Sequence, residues 1–183
     1  MAKRPNPQDD KRSRKDLELF ILALVNDGVS TPYDLMTTAN VSPGASIPAL
    51  ARLEAAGLVR KGAEGPRNRT EYATTSKGER FLNNSWRELF QSPPSANQEL
   101  DAVLRIATLG LVMGETKSSV ANYLRTAATL RASSPSQHKG VLGPDAKKLA
   151  DTFLWMRSAA QAARTRQEAA VLRKLANSLR RMK

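Results

Sequence analysis

Basic side chains gather in the short segment between positions 60 and 69. Four of them share this stretch with a single acid, Glu64; they are Arg60, Lys61, Arg67 and Arg69. Lysine and arginine at such density neutralise phosphates, and the glycines and proline among them predict a turn that would hold them in solvent. We therefore predict contacts to DNA from this segment, most strongly from its tip, where Arg67, Asn68 and Arg69 would contact the phosphates or the minor groove. A solvated basic loop is the alternative.

A second candidate set lies where Ser42-Pro43 predicts the start of a helix. Small residues in the first turns allow a helix to approach DNA closely, and backbone N–H groups at a helix start favour phosphate. The residues expected to be exposed there, facing phosphates or base edges, are Ser42, Gly44, Ala45, Ser46, Ala49 and Arg52. Arg52 is the one long donor of the set, and its alternative partner is a carboxylate.

The apolar spacing around these sets predicts three short helices and then a two-stranded hairpin. The first helix is expected at 16–26, and the cap-plus-proline pairs Thr31-Pro32 and Ser42-Pro43 open the next two. Strands at 58–61 and 69–75 flank a tip at 62–68, and Ser76 caps a further helix that reaches about Gln91. This order predicts a mainly α fold, a winged helix-turn-helix of three helices plus a two-stranded wing.

These stretches resemble the PadR-like winged-helix transcription regulators. SPGASIPALARLEAAGLV at 42–59 is similar to that family's Ser-Pro-Gly opening of the recognition helix and its Pro-Ala-Leu, Arg-Leu-Glu and Gly-Leu run. Tyr33-Asp34-Leu35 resembles the family's Tyr-Glu-Leu, and the end of the wing is similar at Arg69, Tyr72, Thr75 and Lys77-Gly78. Two positions depart from the pattern, Ile47 in place of a tyrosine and Thr31-Pro32 in place of His-Gly. The resemblance implies DNA binding by residues 16–91.

The rest of the chain divides by composition. Residues 1–15 hold six basic residues and two prolines, which predicts a disordered arm with further DNA contacts at Lys11, Arg12, Arg14 and Lys15; a solubilising tail is the alternative. SPPSAN at 92–97 predicts a hinge, and the spacing in 98–183 predicts long amphipathic helices that pack as an antiparallel pair or against a second copy. The resemblance implies that 98–183 is a helical C-terminal dimerisation domain, since longer members of the family dimerise through such an appendage.

Within residues 98–183 we expect one kinked helix or two up to residue 131, a break near 114–119, a loop at 132–143 and a long helix opened by Pro144-Asp145. The long helix is expected to bury an apolar stripe of Leu149, Phe153, Met156, Ala160 and Ala163, which Leu172, Leu175, Leu179 and Met182 resume in a shifted phase.

Composition restricts the function classes. The formal charge of +12 favours a polyanionic partner, yet residues 16–96 hold eight basic and nine acidic residues, and 145–183 carry most of the excess. Without cysteine, and with His138 as the single histidine, the chain predicts no metal site, no cofactor and no enzyme activity. No apolar run approaches the ~20 residues of a membrane span, and no signal peptide is evident. We therefore expect no membrane partner and a cytoplasmic location, with the nucleoid of a bacterium or archaeon.

The favoured function is a homodimeric, sequence-specific repressor that reads a pseudo-palindromic site on double-stranded DNA. One alternative is a winged-helix module for protein interaction or assembly, whose basic C-terminal helix anchors to an acidic partner. A non-specific nucleic-acid-coating protein fits the charge but not the specialised helix starts. Trp86 and Trp155 are candidates for core or interface packing, and, because some relatives hold flat aromatic effectors between tryptophans, for an effector site.

Overall fold

The computed structural model describes residues 7–65, 69–95, 98–133 and 149–182. Within them the chain is mainly helical, with one small antiparallel sheet. In chain order the elements are α1 (Pro7–Asn26), α2 (Pro32–Ala39), α3 (Pro43–Ala55), β1 (Val59–Gly65), β2 (Arg69–Thr74), α4 (Ser76–Gln91), α5 (Leu100–Val112), α6 (Lys117–Ser133) and α7 (Leu149–Arg181). Two compact units result, one of Met1–Ser92 with Leu104–Glu115 and one of Pro93–Val103 with Thr116–Lys183. One boundary between the units lies at Ser92/Pro93, within the 92–97 segment predicted to be a hinge, and others lie inside α5, between Val103 and Leu104, and after Glu115.

The cap-plus-proline signals open α2 and α3 as predicted. Thr31 Oγ1 accepts a hydrogen bond from the Asp34 N–H, which satisfies one of the free donors of the first turn. Ser42 holds the extended cap conformation, but its side chain makes no capping bond. Asn40, in the left-handed conformation at φ 53°, ends α2, so only three residues separate the two helices.

Helix α1 begins earlier than the sequence predicted. Residues 1–15 were expected to be a disordered arm, whereas helix is present from Pro7 onward. Proline is well suited to a first helical turn, because its fixed φ is helical and its missing N–H is not needed there. Because the apolar part of α1 is already packed, each preceding residue joins an existing helix without a new nucleation cost. Residues 1–6 lie outside the described residues.

The core of the first unit collects one apolar face from each of its helices. The largest contributions are Leu19, Ile21, Leu22 and Val25 from α1, Leu35 from α2, Leu50 and Leu53 from α3, Leu82, Trp86 and Leu89 from α4, and Ile106 and Leu109 from α5. Full burial of side chains of this size stabilises a fold by about 1.5–3 kcal/mol each, before the entropy of ordering is subtracted. The core fixes the orientation of α3 against α1.

The hairpin follows α3 directly. Strands β1 and β2 pair antiparallel from Val59 opposite Thr74 to Gly65 opposite Arg69, with an irregularity between Lys61 and Glu64. The predicted return strand is confirmed, while β1 runs past the predicted end at Lys61, because the irregularity shifts its pairing instead of ending it. Residues 66–68 at the tip lie outside the described part of the chain.

The start of α4 holds the base of the hairpin. Thr75, not the predicted Ser76, is the N-cap of α4, since its hydroxyl accepts the Gly78 N–H. The same hydroxyl donates to the Gly57 carbonyl at 2.7 Å, and Lys77 Nζ donates to the Ala56 carbonyl at 2.7 Å. Gly78 is required for this approach, because a Cβ there would overlap the Leu58 carbonyl oxygen. We call these contacts of residues 75–78 with 56–58 the α4 clamp.

The second unit is built on the pair α6 and α7. Lys117 at the start of α6 contacts the Met182 carbonyl at the end of α7, so the two helices are antiparallel. Their contact buries Val120 and Leu124 of α6 against a face of α7 that includes Ala169, Leu172 and Ala176. The break predicted near 114–119 is confirmed, with Gly114 at φ 100° between α5 and α6.

The buried stripe of α7 differs from the predicted one. Spacing suggested Leu172, Leu175, Leu179 and Met182, but Leu175 is 39% and Met182 60% exposed. Alanines at 169 and 176 are buried in their place, because their small side chains let α6 approach closely. Ala163, also assigned to the stripe, is exposed. The predicted helix start at Pro144-Asp145 and the loop with His138 lie outside the described residues.

Candidate nucleic-acid interface

Helix α3 exposes a face different from the predicted one. Of the predicted contact residues, Ser42, Gly44 and Arg52 are exposed and Ala45 is half-buried, but Ser46 and Ala49 are fully buried. The buried positions 46, 49, 50 and 53 follow the i, i+3, i+4, i+7 spacing of a helix face packed on a core. Ser46 and Ala49 are therefore structural residues, and the predicted reading face was rotated by about one residue.

The exposed surface of α3 is largely hydrocarbon. Ile47 is 53% exposed, and Pro48 and Ala51 lie beside it on the solvent side. Pro48 is internal to the helix. Since proline has no N–H, the Gly44 carbonyl lacks its α-helical partner, which leaves a backbone acceptor on this face. Ile47 was not among the predicted contact residues, and it was noted only as a departure from the tyrosine of the PadR-like pattern.

Arg52 is engaged by a carboxylate. Its Nε donates to Glu18 Oε1 of α1 at 2.5 Å, and half of the arginine side chain remains accessible. The structure thus shows the alternative given for Arg52, a carboxylate partner. A phosphate could compete for the accessible part of the guanidinium only at the expense of this ion pair.

The hairpin carries the remaining central candidates. Arg60 and Lys61 are exposed on β1, five and six residues after the end of α3. Arg69 begins β2, where its backbone pairs with Gly65. The side chain of Arg69, together with Arg67 and Asn68, lies outside the described residues. Within the described part, the first unit therefore brings together the exposed start of α3 and two cations at the base of the hairpin.

The four candidates of the predicted arm lie on α1. Arg14 is exposed, and Lys15 Nζ donates to Glu88 Oε2 of α4 at 2.9 Å. This hydrogen bond, and then the positive charge of Lys15, hold the pKa of the Glu88 carboxyl below its ordinary value. The side chains of Lys11 and Arg12 are outside the described residues.

Trp86 lies in the core of the first unit and is 4% exposed. The guanidinium of Arg87 sits 5.1 Å from the centre of its ring. This environment corresponds to the packing interpretation of Trp86. The side chain of Trp155, on α7, is outside the described residues.

Sequence reasoning missed two arginines that form ion pairs inside the fold, the half-buried Arg105 and the buried Arg131. Arg105 Nε donates to Asp16 Oδ2 at 2.7 Å, and this carboxylate is fully buried. In the second unit the nearly inaccessible Arg131 donates to Glu168 Oε2 at 3.3 Å and to the Gln98 carbonyl. A single buried charge is costly unless paired, so both ion pairs are structural. Neither arginine lies in a motif, and only their position amid apolar helix residues distinguished them.

Comparison with known proteins gives no relative for this chain. No family model matches it, and neither a curated protein nor a solved structure does. Across the described residues there is no cluster of three or more His, Cys, Asp or Glu side chains that could hold a metal ion. The described helices also include none with the length and apolarity to cross a membrane.

Proposed function

We propose that this chain is a homodimeric, sequence-specific DNA-binding transcription regulator, a repressor of the PadR-like type. In this proposal residues 16–91 form a winged helix, with α3 as the recognition helix and β1–β2 as the wing. The recognition helix enters the major groove while the wing follows the backbone. The second unit supplies the dimer contacts.

One observation carries the proposal, namely the direct succession of an exposed α3 and a basic hairpin held by the α4 clamp. The exposed positions Gly44, Ile47 and Ala51 have no bulky polar group that would keep α3 away from a groove. Arg60 and Lys61 follow five and six residues after the end of α3, and both are exposed. Because the clamp fixes 56–58 against α4, both surfaces approach a duplex together.

The chemistry of reading follows from what α3 exposes. Its side chains favour apolar contact, and the methyl group of thymine in the major groove is the base feature that hydrocarbon recognises. In this proposal the exposed Ile47 contacts the thymine methyl group. Two hydrogen-bonding groups lie at the start of the helix. The Ser42 hydroxyl can donate to a phosphate oxygen, and the Gly44 carbonyl can accept from the amino group of a base.

The homodimer is supported by an apolar flank on α7. Val171, Leu175 and Met182 recur at helical spacing and are exposed. An exposed stripe of this kind is expected to be covered by another surface, and a second copy provides a self-complementary one. A two-fold dimer would read half-sites about one helical turn apart.

In the test, the full-length protein selects fragments of host genomic DNA at about 0.15 M salt in the presence of competitor DNA. A few discrete fragments that share an inverted repeat are the expected result. Ile47→Asn should change the selected bases, whereas Arg60→Gln with Lys61→Gln should weaken every fragment alike. Leu82→Ala, which touches neither surface, serves as the control for general loss of fold.

A protein-interaction module is the second candidate. The observation that favours it is the exposure of Tyr33 at 50% and Ile47 at 53% in a segment with almost no net charge. Uniform recovery of genomic fragments, or none, would overturn the regulator in favour of this candidate. Discrete fragments whose sequence depends on residue 47 would exclude it.

A further inference from the structure

Three arginines form a regular line along α7. Arg166, Arg173 and Arg180 are seven residues apart and all exposed. At about 1.5 Å per residue they repeat about every 10 Å, along nearly the same side of the helix. We call these three residues the arginine stripe. It lies about a quarter turn from the buried face and on the opposite flank from Val171, Leu175 and Met182.

The stripe has no carboxylate to neutralise it among the described residues. Glu168 is the one acid between residues 152 and 182, and both of its oxygens are engaged. Oε1 accepts from Arg164 at 2.9 Å, and Oε2 accepts from Arg131 at 3.3 Å. Like charges held on one rigid helix repel one another, so an arrangement of this kind is stabilised by binding an anion.

Helix α6 extends the same basic surface. Asn122 Oδ1 accepts from Arg125 Nη1 at 3.0 Å and lies 3.5 Å from Arg180 Nη2, which brings these two guanidinium groups together. Residues 116–126 contain no acid, and neither do residues 169–182. The positive surface therefore spans two antiparallel helices.

From this arrangement we infer that the arginine stripe, with Arg125, is a second nucleic-acid site, which binds the phosphate backbone of a DNA duplex. The phosphates of one DNA strand follow one another every 3.4 Å along the duplex axis, so a repeat of about 10 Å corresponds to about three phosphates. The guanidinium group suits phosphate because it donates two parallel hydrogen bonds. The site is separate from α3 and the hairpin and does not depend on the function proposed for them.

A membrane surface fits the same residues less well. Helices that lie on membranes combine basic residues with Trp, Phe or Leu on one buried face. Among the described side chains of α7, from residue 162 onward, the exposed apolar flank has no aromatic residue, and the stripe faces away from this flank. The basic surface also continues from α7 onto α6, and an area of this extent suits an extended polyanion.

The test measures binding of the full-length protein to a duplex of arbitrary sequence, by fluorescence anisotropy, from about 50 to 200 mM salt. Arg173→Gln with Arg180→Gln should lower affinity on the order of tenfold at low salt. It should also reduce the slope of log affinity against log salt by about 1.8, since each phosphate contact accounts for about 0.9. Arg173→Lys with Arg180→Lys should retain most of the slope.

The matched control removes two exposed cations elsewhere, by Arg80→Gln with Arg87→Gln on α4. This variant should keep the wild-type slope. An unchanged slope in the Arg173/Arg180 variant, or an equal loss in the control, would overturn the inference. So would selective loss of binding to anionic lipid vesicles with duplex binding intact. Repeating the comparison with Arg60→Gln and Lys61→Gln present separates this site from the hairpin, because the stripe effect should persist.

Discussion

The two units of the molecule handle their charged residues differently. In the first unit, three basic side chains are paired with carboxylates of another helix, in the contacts Arg105–Asp16, Arg52–Glu18 and Lys15–Glu88. In the second unit, one carboxylate, Glu168, receives two arginines, and within the described residues the arginine stripe is left without an acidic partner.

Under the proposed function, net charge and the site of specific recognition do not coincide. Residues 16–96, which are nearly neutral, expose small and apolar groups on α3, and such groups suit contact with base edges. The basic second unit offers repeated cations, which suit a backbone regardless of sequence. A total of +12 alone would have directed attention to residues 145–183, which carry most of the excess charge, instead of to α3.

The largest expected effect comes from removing the buried carboxylate of the first unit. Asp16→Ala should destabilise this unit by about 3–5 kcal/mol, because it leaves Arg105 largely buried without its partner. Urea denaturation measures the loss. Adding Arg105→Met should restore much of it, while Asp27→Asn, at an exposed position, should have almost no effect. Equal losses in the single and double variants would mean that the ion pair is not the cause.

A smaller loss is expected in the second unit from Glu168→Gln. The nearly inaccessible Arg131 would keep its bond to the Gln98 carbonyl but lose a charged partner, at a cost of about 2 kcal/mol. Thermal unfolding followed by circular dichroism measures it. Glu99→Gln, at an exposed position of the same unit, is the control. If both variants unfold alike, Glu168 is no more than a surface acid.

Glu18→Gln should act on binding and not on stability. The change releases Arg52, so affinity for a selected DNA fragment should rise about threefold, the equivalent of a modest exposed ion pair. Anisotropy titration measures it against Glu79→Gln, which removes an exposed acid of α4. Unchanged or lower affinity would remove Arg52 from the proposed interface.

The smallest effect concerns pH. The lowered pKa of Glu88 means that its contact with Lys15 stabilises the fold above the ordinary glutamate value of 4.5 and that this contribution disappears as pH falls through the lowered folded value. The difference in stability between wild type and Lys15→Gln should therefore shrink on acidification. It should be small throughout, because both side chains are exposed and salt screens them. A difference that grows toward acid pH would contradict this assignment.

Much of the fold could be predicted from local signals. Thr31-Pro32 and Ser42-Pro43 fix the starts of α2 and α3 because a proline with a helical φ begins each helix, and at α2 the Thr31 hydroxyl also caps the first turn. The alternation at 69–75 predicted β2, and the glycines near 114 predicted the gap between α5 and α6. Each signal depends on neighbours in sequence and on nothing distant.

The orientation of faces could not be read in the same way. On α3 the fully buried residues include Ser46 and Ala49 while Ile47 is exposed, since α1 packs closely where side chains are small. On α7, Ala169 and Ala176 replace the expected leucines for the same reason. The heptad spacing of Arg166, Arg173 and Arg180 was present in the sequence. Its significance appeared only once Glu168 was seen to be engaged by Arg131 and Arg164.

The α4 clamp has a calorimetric consequence. Because Thr75, Lys77 and Gly78 already hold residues 56–58, the backbone that joins α3 to the hairpin has little order left to gain when a ligand binds. Complex formation by this unit should therefore show a heat-capacity change proportional to the surface covered, without the additional contribution of coupled folding. The affinity of this unit for a partner would then depend on how well the two surfaces fit, and ordering of the protein would contribute little to its change with temperature.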